Sequence, residues 1–226
     1  MSSLRGRVVL VTGAASGLGA AVARRFAAEG ALVMVTDIDE AGGRACTEAL
    51  GPRAAWRRLD VREELSWIAA MAALLDAHGR LDVLVNGAAA VSGPGGGARQ
   101  DPECTPLDAW HELLRCHLDG VFLGCKYGLR AMRRTRAPGQ SGPPGLILNL
   151  VSSAGEAAEP SAAAIAASQA AVFEHTRSVG RYCAQERLPI HCEVIPPGAS
   201  GNAQDVASLA LMLAAGVHAP QGRRPR

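Results

Sequence analysis

The sequence predicts a doubly wound parallel α/β fold in one domain that spans residues 1–226. Short apolar runs, of which the first is 8–12 (VVLVT), alternate with amphipathic helical patterns along the chain. Both faces of these runs are apolar, which is typical of parallel strands covered by helices on each side. The 226 residues, 48% of them hydrophobic, are enough to bury a sizeable core.

The predicted elements follow one another in strict alternation. The first strand ends at Gly13, and the helix after it carries Leu18, Val22 and Phe26 on one face. Loops rich in Gly and Pro, at 94–106 and 138–145, separate the later elements. The strands are 8–12, 32–36, 54–59, 81–86, 146–151 and 189–195, and the helices are 17–30, 39–50, 63–78, 107–134, an Ala-rich 161–186, and 202–215.

Composition excludes several functional classes. The 23 basic and 21 acidic residues give a net charge of +2, and three of the arginines lie in the last four residues, so no nucleic-acid-binding face is expected. Apolar runs are interrupted before the ~18 residues that a membrane span needs, and the N-terminus leads directly into a strand, so we expect a cytoplasmic protein. The six cysteines form no CxxC pair, which argues against disulfides and a metal site.

The segment Thr12-Gly-Ala-Ala-Ser-Gly-Leu-Gly19 joins the first strand to the first helix, the context that a dinucleotide site requires. Gly13 permits the sharp turn, Gly17 lets a pyrophosphate approach the backbone, and Gly19 lets the helix pack on the strand. A glycine-rich turn that binds no ligand is the alternative.

Asp37 ends the second strand and is placed to accept hydrogen bonds from the adenosine ribose while repelling a 2′-phosphate. Neither its neighbours in sequence nor Ser16 supplies the Arg or Lys that would favour NADP. The cofactor that we expect is therefore NAD.

These motifs, with Leu59-Asp-Val61 and Leu84-Val-Asn-Gly-Ala88, resemble the short-chain dehydrogenase/reductase family over residues 4–198. The resemblance implies that Asp60 and Val61 hold the adenine, that Asn86 braces the fourth strand beside the ribose, and that Pro197 and Gly198 touch the nicotinamide. Gly87 and Ala89 depart from the family's Asn-Asn-Ala-Gly segment at that strand. The expected cofactor-binding residues are Gly13, Ser16, Gly17, Leu18, Gly19, Asp37, Ile38, Asp60, Val61, Asn86, Ala88, Pro197 and Gly198.

The family's chemistry needs a Tyr that shuttles a proton, a Lys four residues later, a Ser that orients the substrate and a helical Asn. The resemblance places these roles at Ile165, Gln169, Ser153 and His117, so that only the serine is retained. No YxxxK occurs elsewhere, because the single lysine, Lys126, has Phe four residues before it. Ser153 and His117 are the candidate catalytic residues, and simple structural roles for both are the alternative.

The C-terminal region departs from the family as well, since Gly198 is followed almost at once by a helical pattern at 202. We therefore expect the substrate lid and the seventh strand to be absent, and a homodimer through helices 107–134 and 161–186. Three functions remain open. In the first, the chain is a regulatory or scaffolding NAD-binding relative of a dehydrogenase. In the second, it is a non-redox enzyme (an isomerase, cyclase or lyase) that acts on a small hydrophobic metabolite through Ser153 and His117. In the third, it is an altered NAD-dependent dehydrogenase.

Overall fold

The fold is built around one six-stranded parallel sheet with the strand order β3-β2-β1-β4-β5-β6. It is seen in a computed structural model that describes residues 4–88, 101–135, 142–151, 163–195 and 202–216. The strands are β1 (Val8–Thr12), β2 (Leu32–Asp37), β3 (Ala54–Arg58), β4 (Val83–Asn86), β5 (Gly145–Leu150) and β6 (Ile190–Ile195). The helices are α1 (Gly17–Ala28), α2 (Glu40–Leu50), α3 (Glu64–His78), α4 (Leu107–Leu114), α5 (Gly120–Thr135), α6 (Ala163–Gln185) and α7 (Ala203–Ala214).

Both faces of the sheet are covered, as the apolar strands predict. Val9 and Val11 point into a core with Phe26 of α1 and residues of α7, whereas Val8 and Leu10 point into a second core formed with α3, α5 and α6. All five residues of β1 are buried, because this strand lies in the middle of the sheet between β2 and β4. Among the described helices, none combines the length and the apolar character needed to cross a membrane.

The predicted strands and helices are confirmed in type and order, with ends that move by a few residues. The prediction of one continuous helix over 107–134 is wrong. A single π-helical turn, Arg115–Asp119, separates α4 from α5. Such a turn carries an extra residue and changes which side chains face the core. Helix α5 begins at Gly120, where an added Cβ would lie 2.9 Å from Cγ2 of Val61, so glycine lets α5 begin in close contact with the segment that follows β3.

Candidate functional site

The candidate site lies at the carboxyl ends of β1 and β4, which are neighbours in the sheet although β2 and β3 separate them in sequence. The strand order reverses direction at this point, and in open α/β sheets the crevice outside such a reversal is the usual ligand site. The loops that leave β1 and β4 carry the glycine-rich turn and the Asn86 segment. Both predicted cofactor motifs therefore meet at one edge of the sheet.

The three glycines of the turn have different surroundings. A Cβ at Gly13 would lie 2.5 Å from the carbonyl oxygen of Gly87, and a Cβ at Gly19 would lie 2.2 Å from the carbonyl oxygen of Gly13. These two glycines permit close packing of β1, α1 and the β4 loop. Gly17 has a positive φ of 55° and would bring a Cβ near no other atom. Its exposed backbone is thus open to a ligand.

The first turn of α1 has hydrogen-bond donors to offer. Ser16 is the N-cap but its side chain makes no capping hydrogen bond, and the first helical bond runs from the Ala20 amide to the Ser16 carbonyl. The amides of residues 17–19 precede the first intrahelical bond, as at any helix start. Such amides, together with the positive end of the helix dipole, suit a phosphate group. The side chain of Leu18 packs against the core beneath this turn.

The Asp37 carboxylate links the turn to β2. Its Oδ2 accepts a hydrogen bond from the Ala15 amide at 3.0 Å, and its Oδ1 accepts from the amides of Ile38 at 2.7 Å and Asp39 at 3.1 Å. These bonds fix the carboxylate beside the glycine-rich turn. The Ile38 side chain is 52% exposed next to it.

The sheet pairs Asp37 with a basic residue of the neighbouring strand. Arg58, at the end of β3, is the direct strand partner of Asp37. In-register partners on parallel strands project to the same face of the sheet. The two side chains form no ion pair among those of the described residues.

A charged cluster surrounds the predicted adenine residues. Arg62 donates to Asp60 from its backbone amide (3.1 Å), Nε (2.9 Å) and Nη2 (2.7 Å), and its Nη1 bonds Glu112 of α4. Arg62 holds the pKa of the Asp60 carboxyl below its usual range. Val61 is buried and its carbonyl accepts the indole N–H of Trp67 at 2.9 Å. The cluster connects the end of β3 to α4, a contact that sequence spacing alone did not indicate.

Two polar residues that the sequence reasoning did not assign to the site organise the end of β4. The Thr12 Oγ1 accepts hydrogen bonds from the amides of Gly87 (3.1 Å) and Ala88 (3.2 Å). The Asn86 Nδ2 donates to the Oδ1 of Asn149 on β5 at 2.7 Å, while the buried Asn86 Oδ1 has no hydrogen-bond partner within the described residues. The available signals were a polar residue that ends the apolar strand β1, for Thr12, and a polar residue inside the apolar strand β5, for Asn149.

His117 lies in the π turn and faces α6. Its Nδ1 is 3.2 Å from the Oγ of Ser168, and the Ser168 hydroxyl donates to the carbonyl oxygen of Ile165 at 2.8 Å. Burial lowers the pKa of the His117 imidazole. Gln169 is buried one residue along the helix. The structure therefore brings His117 to the segment of α6 that carries Ile165 and Gln169, whereas Ser153, Pro197 and Gly198 lie outside the described residues.

A parallel sheet with this strand order and a glycine-rich turn at its reversal point defines a dinucleotide-binding α/β fold of the Rossmann type. The family model for short chain dehydrogenases matches residues 7–207. The chain belongs to the short-chain dehydrogenase/reductase family.

Its curated relatives include several dehydrogenases. It is 36% identical to 3-beta-hydroxysteroid dehydrogenase of Comamonas testosteroni over 194 residues, which are 86% of this chain and 71% of the relative. It is 35% identical to L-fucose dehydrogenase of Oryctolagus cuniculus, over 85% of this chain and 62% of the relative. It is 29% identical to an NADP-dependent (R)-specific alcohol dehydrogenase of Lentilactobacillus kefiri, over 86% and 73%. The chain thus spans about two thirds of the length of these three relatives.

Proposed function

We propose that this chain is an NAD(H)-binding member of the family in which the conventional hydride-transfer chemistry is lost, and that it acts as a regulatory or scaffolding relative of a dehydrogenase. The observation that carries the proposal is the pair Ile165 and Gln169 on α6, where the resemblance places the family's Tyr and Lys. We also propose that residues 1–226 form one domain and that the protein is cytoplasmic.

The described residues fit a dinucleotide. The open backbone at Gly17 and the first amides of α1 would hold the pyrophosphate, the fixed Asp37 carboxylate would accept from the ribose hydroxyls, and Asp60 with Val61 would border the adenine. When bound, NAD would supply a nicotinamide ring that accepts or donates a hydride. Other residues complete the proposed site. Those that the structure describes are Ser16, Leu18, Ile38, Asn86 and Ala88. The proposal also includes Pro197 and Gly198, which lie outside the described residues.

A preference for NAD over NADP follows from the charge of Asp37, since a 2′-phosphate would meet an anion. Arg58, the strand partner of Asp37 on β3, carries the opposite charge, and the name of the Lentilactobacillus kefiri relative states NADP dependence for that protein. Calorimetric titration of the wild type and of the Arg58→Ala variant, each with NAD(H) and with NADP(H), tests the proposal. Equal or tighter binding of NADP(H) compared with NAD(H) by the wild type would contradict it.

Loss of the ordinary chemistry follows from the side chains on α6. Ile165 has no proton to donate and Gln169 has no charge with which to lower the pKa of a neighbouring phenol. General acid/base help alone contributes ~10² to ~10⁴ in rate. The double variant Ile165→Tyr with Gln169→Lys should therefore gain turnover of secondary alcohols relative to the wild type, and equal rates in the two proteins would remove this argument.

A second candidate function is favoured by the placement of His117 against α6. In this alternative the chain is an enzyme that uses His117, either a non-redox isomerase, cyclase or lyase that also uses Ser153, or an altered NAD-dependent dehydrogenase. On any substrate that the protein converts, His117→Asn should lower kcat by at least ~10²-fold with unchanged NAD affinity. An unchanged rate would leave His117 as a packing residue.

A homodimer is proposed through α4, α5 and α6. Phe122 of α5 is 48% exposed and Phe173 of α6 is 38% exposed. Large apolar side chains on neighbouring helices are a common mark of a protein interface.

A further inference from the structure

Arg62 fills most of the hydrogen-bond acceptor positions of the Asp60 carboxylate. The Asp60 Oδ1 accepts from the Arg62 backbone amide at 3.1 Å and from its Nε at 2.9 Å, and Oδ2 accepts from its Nη2 at 2.7 Å. A carboxylate has about four acceptor positions, which are shared equally by its oxygens. Oδ1 is therefore full. No other donor of the described residues reaches Oδ2, so one of its positions stays open.

The Asp60 carboxylate is held in a fixed orientation. A guanidinium that contacts both carboxylate oxygens sets the relative geometry of the two groups. Arg62 is itself anchored, because its Nη1 bonds Glu112 on α4, and the Asp60 amide donates to the Oγ of Ser66 at 3.0 Å. The hydrogen bonds from Arg62 also lower the pKa of the Asp60 carboxyl, so at neutral pH it is ionised and can only accept.

This carboxylate lies beside Asp37 at the carboxyl edge of the sheet. The amide of Leu59, which precedes Asp60, donates to the carbonyl oxygen of Asp37 at 2.9 Å. In the proposed function, Asp37 accepts from the adenosine ribose and Asp60 borders the base. A base in that place meets a single acceptor that cannot turn.

We infer that Arg62 is a positioning residue that makes the site selective for a purine with an exocyclic amino group, adenine, over a purine with a carbonyl oxygen at the same ring position, such as hypoxanthine. The inference rests on the proposed function, because it takes the base of a bound dinucleotide to lie at Asp60. The amino group of adenine is a donor and suits one fixed acceptor. The carbonyl oxygen of hypoxanthine is repelled by a carboxylate, and its N–H donor lies at the neighbouring ring position.

Calorimetric titration with NADH and with its hypoxanthine analogue, deamino-NADH, tests the inference through binding alone. The wild type should bind NADH ~10-fold or more tightly than the analogue, the effect of one hydrogen bond to a charged acceptor. Arg62→Gln frees one acceptor position on each Asp60 oxygen and lets the carboxylate turn towards the N–H of hypoxanthine. The ratio of the two affinities should therefore fall by at least ~3-fold. Arg62→Lys, which keeps the charge but cannot contact both oxygens in the same way, should lower it as well.

The matched control is Arg115→Gln, which removes an exposed ion pair with Glu63 and should keep the wild-type ratio. Equal binding of the two dinucleotides by the wild type overturns the inference even if the Arg62 variants do not fold. An unchanged ratio in folded Arg62→Gln or Arg62→Lys overturns it too. Failure of both dinucleotides to bind would contradict the proposed function, and the inference with it, whereas binding without discrimination contradicts the inference alone.

Discussion

Replacing Gly17 by alanine separates the role of the glycine-rich turn in binding from its role in folding. Gly17 has a φ of 55°, and an added Cβ would contact no other atom. Gly79, which ends α3 with a φ of 70°, has the same freedom from contact and lies outside the candidate site. Both substitutions therefore put an alanine at a positive φ with no steric clash, and only one of them places a methyl group in the proposed phosphate-binding turn.

The expected loss of stability is small and equal in the two variants. A left-handed conformation costs an L-residue roughly 1–2 kcal/mol, and about 0.4–1 kcal/mol is recovered because alanine restricts the unfolded chain. The net loss is about 1 kcal/mol, or roughly 2–4 °C in Tm for a chain of this size. A hydrogen bond to a charged group contributes about 1.5–3 kcal/mol. If the methyl group keeps the phosphate from the turn, Gly17→Ala should bind NADH ~10 to ~100-fold more weakly.

Thermal unfolding and calorimetric titration of the wild type, Gly17→Ala and Gly79→Ala measure both quantities. We expect similar Tm values in the two variants and weaker NADH binding in Gly17→Ala alone. An unchanged affinity in Gly17→Ala would refute the placement of the cofactor phosphates at this turn. Equal weakening in both variants would attribute the effect to general destabilisation.

Three other predictions follow from the described contacts. Asp37→Ser should lower the ratio of NADH affinity to NADPH affinity in competition titrations, because it removes the anion beside the ribose site. An unchanged affinity ratio would count against a role of Asp37 in choosing the cofactor. Light scattering should give about twice the 23.3 kDa chain mass, and Phe122→Glu should give the monomer mass if α5 lies in the interface; a mass near four chains would contradict the dimer. Arg62→Gln should lower the free energy of unfolding at neutral pH and reduce how much this free energy falls on acidification. The lowered pKa of Asp60 stabilises the fold above the ordinary pKa of 3.8, and this contribution is lost as the pH falls through the pKa of the folded state. The control is Arg115→Gln, which removes an exposed ion pair with Glu63. Urea unfolding measured at a series of pH values should show the stability of this variant, and its dependence on pH, unchanged from the wild type.

Local sequence patterns were sufficient for most of the fold. Strands such as β1 are continuous apolar runs, and the glycine-rich turn combines local φ requirements with a fixed place between β1 and α1, so both could be predicted from neighbouring residues. The π turn could not, because no local pattern marks it, and the contact at the start of α5 joins Gly120 to Val61, which are far apart in sequence.

The parts of the site that sequence reasoning missed all depend on pairing between distant segments. Arg58 is beside Asp37 only because β3 aligns with β2 in register. Arg62 meets Glu112 only because the fold places α4 next to the segment that follows β3. Likewise, Ser168 is one of many small polar residues in a helix until the fold brings His117 against it. None of these contacts has a fixed spacing in the sequence from which it could be predicted.

The most direct test of the central claim is the rate at which the wild-type protein reduces NAD with a panel of secondary alcohols, measured at a NAD concentration that saturates binding in the calorimeter. The proposed loss of the Tyr and Lys roles at Ile165 and Gln169 predicts bound cofactor with turnover at or near the background rate. Reduction of NAD at an ordinary dehydrogenase rate of ~1 to ~10³ s⁻¹ would contradict it, and the chain would then be a working dehydrogenase with a different proton acceptor.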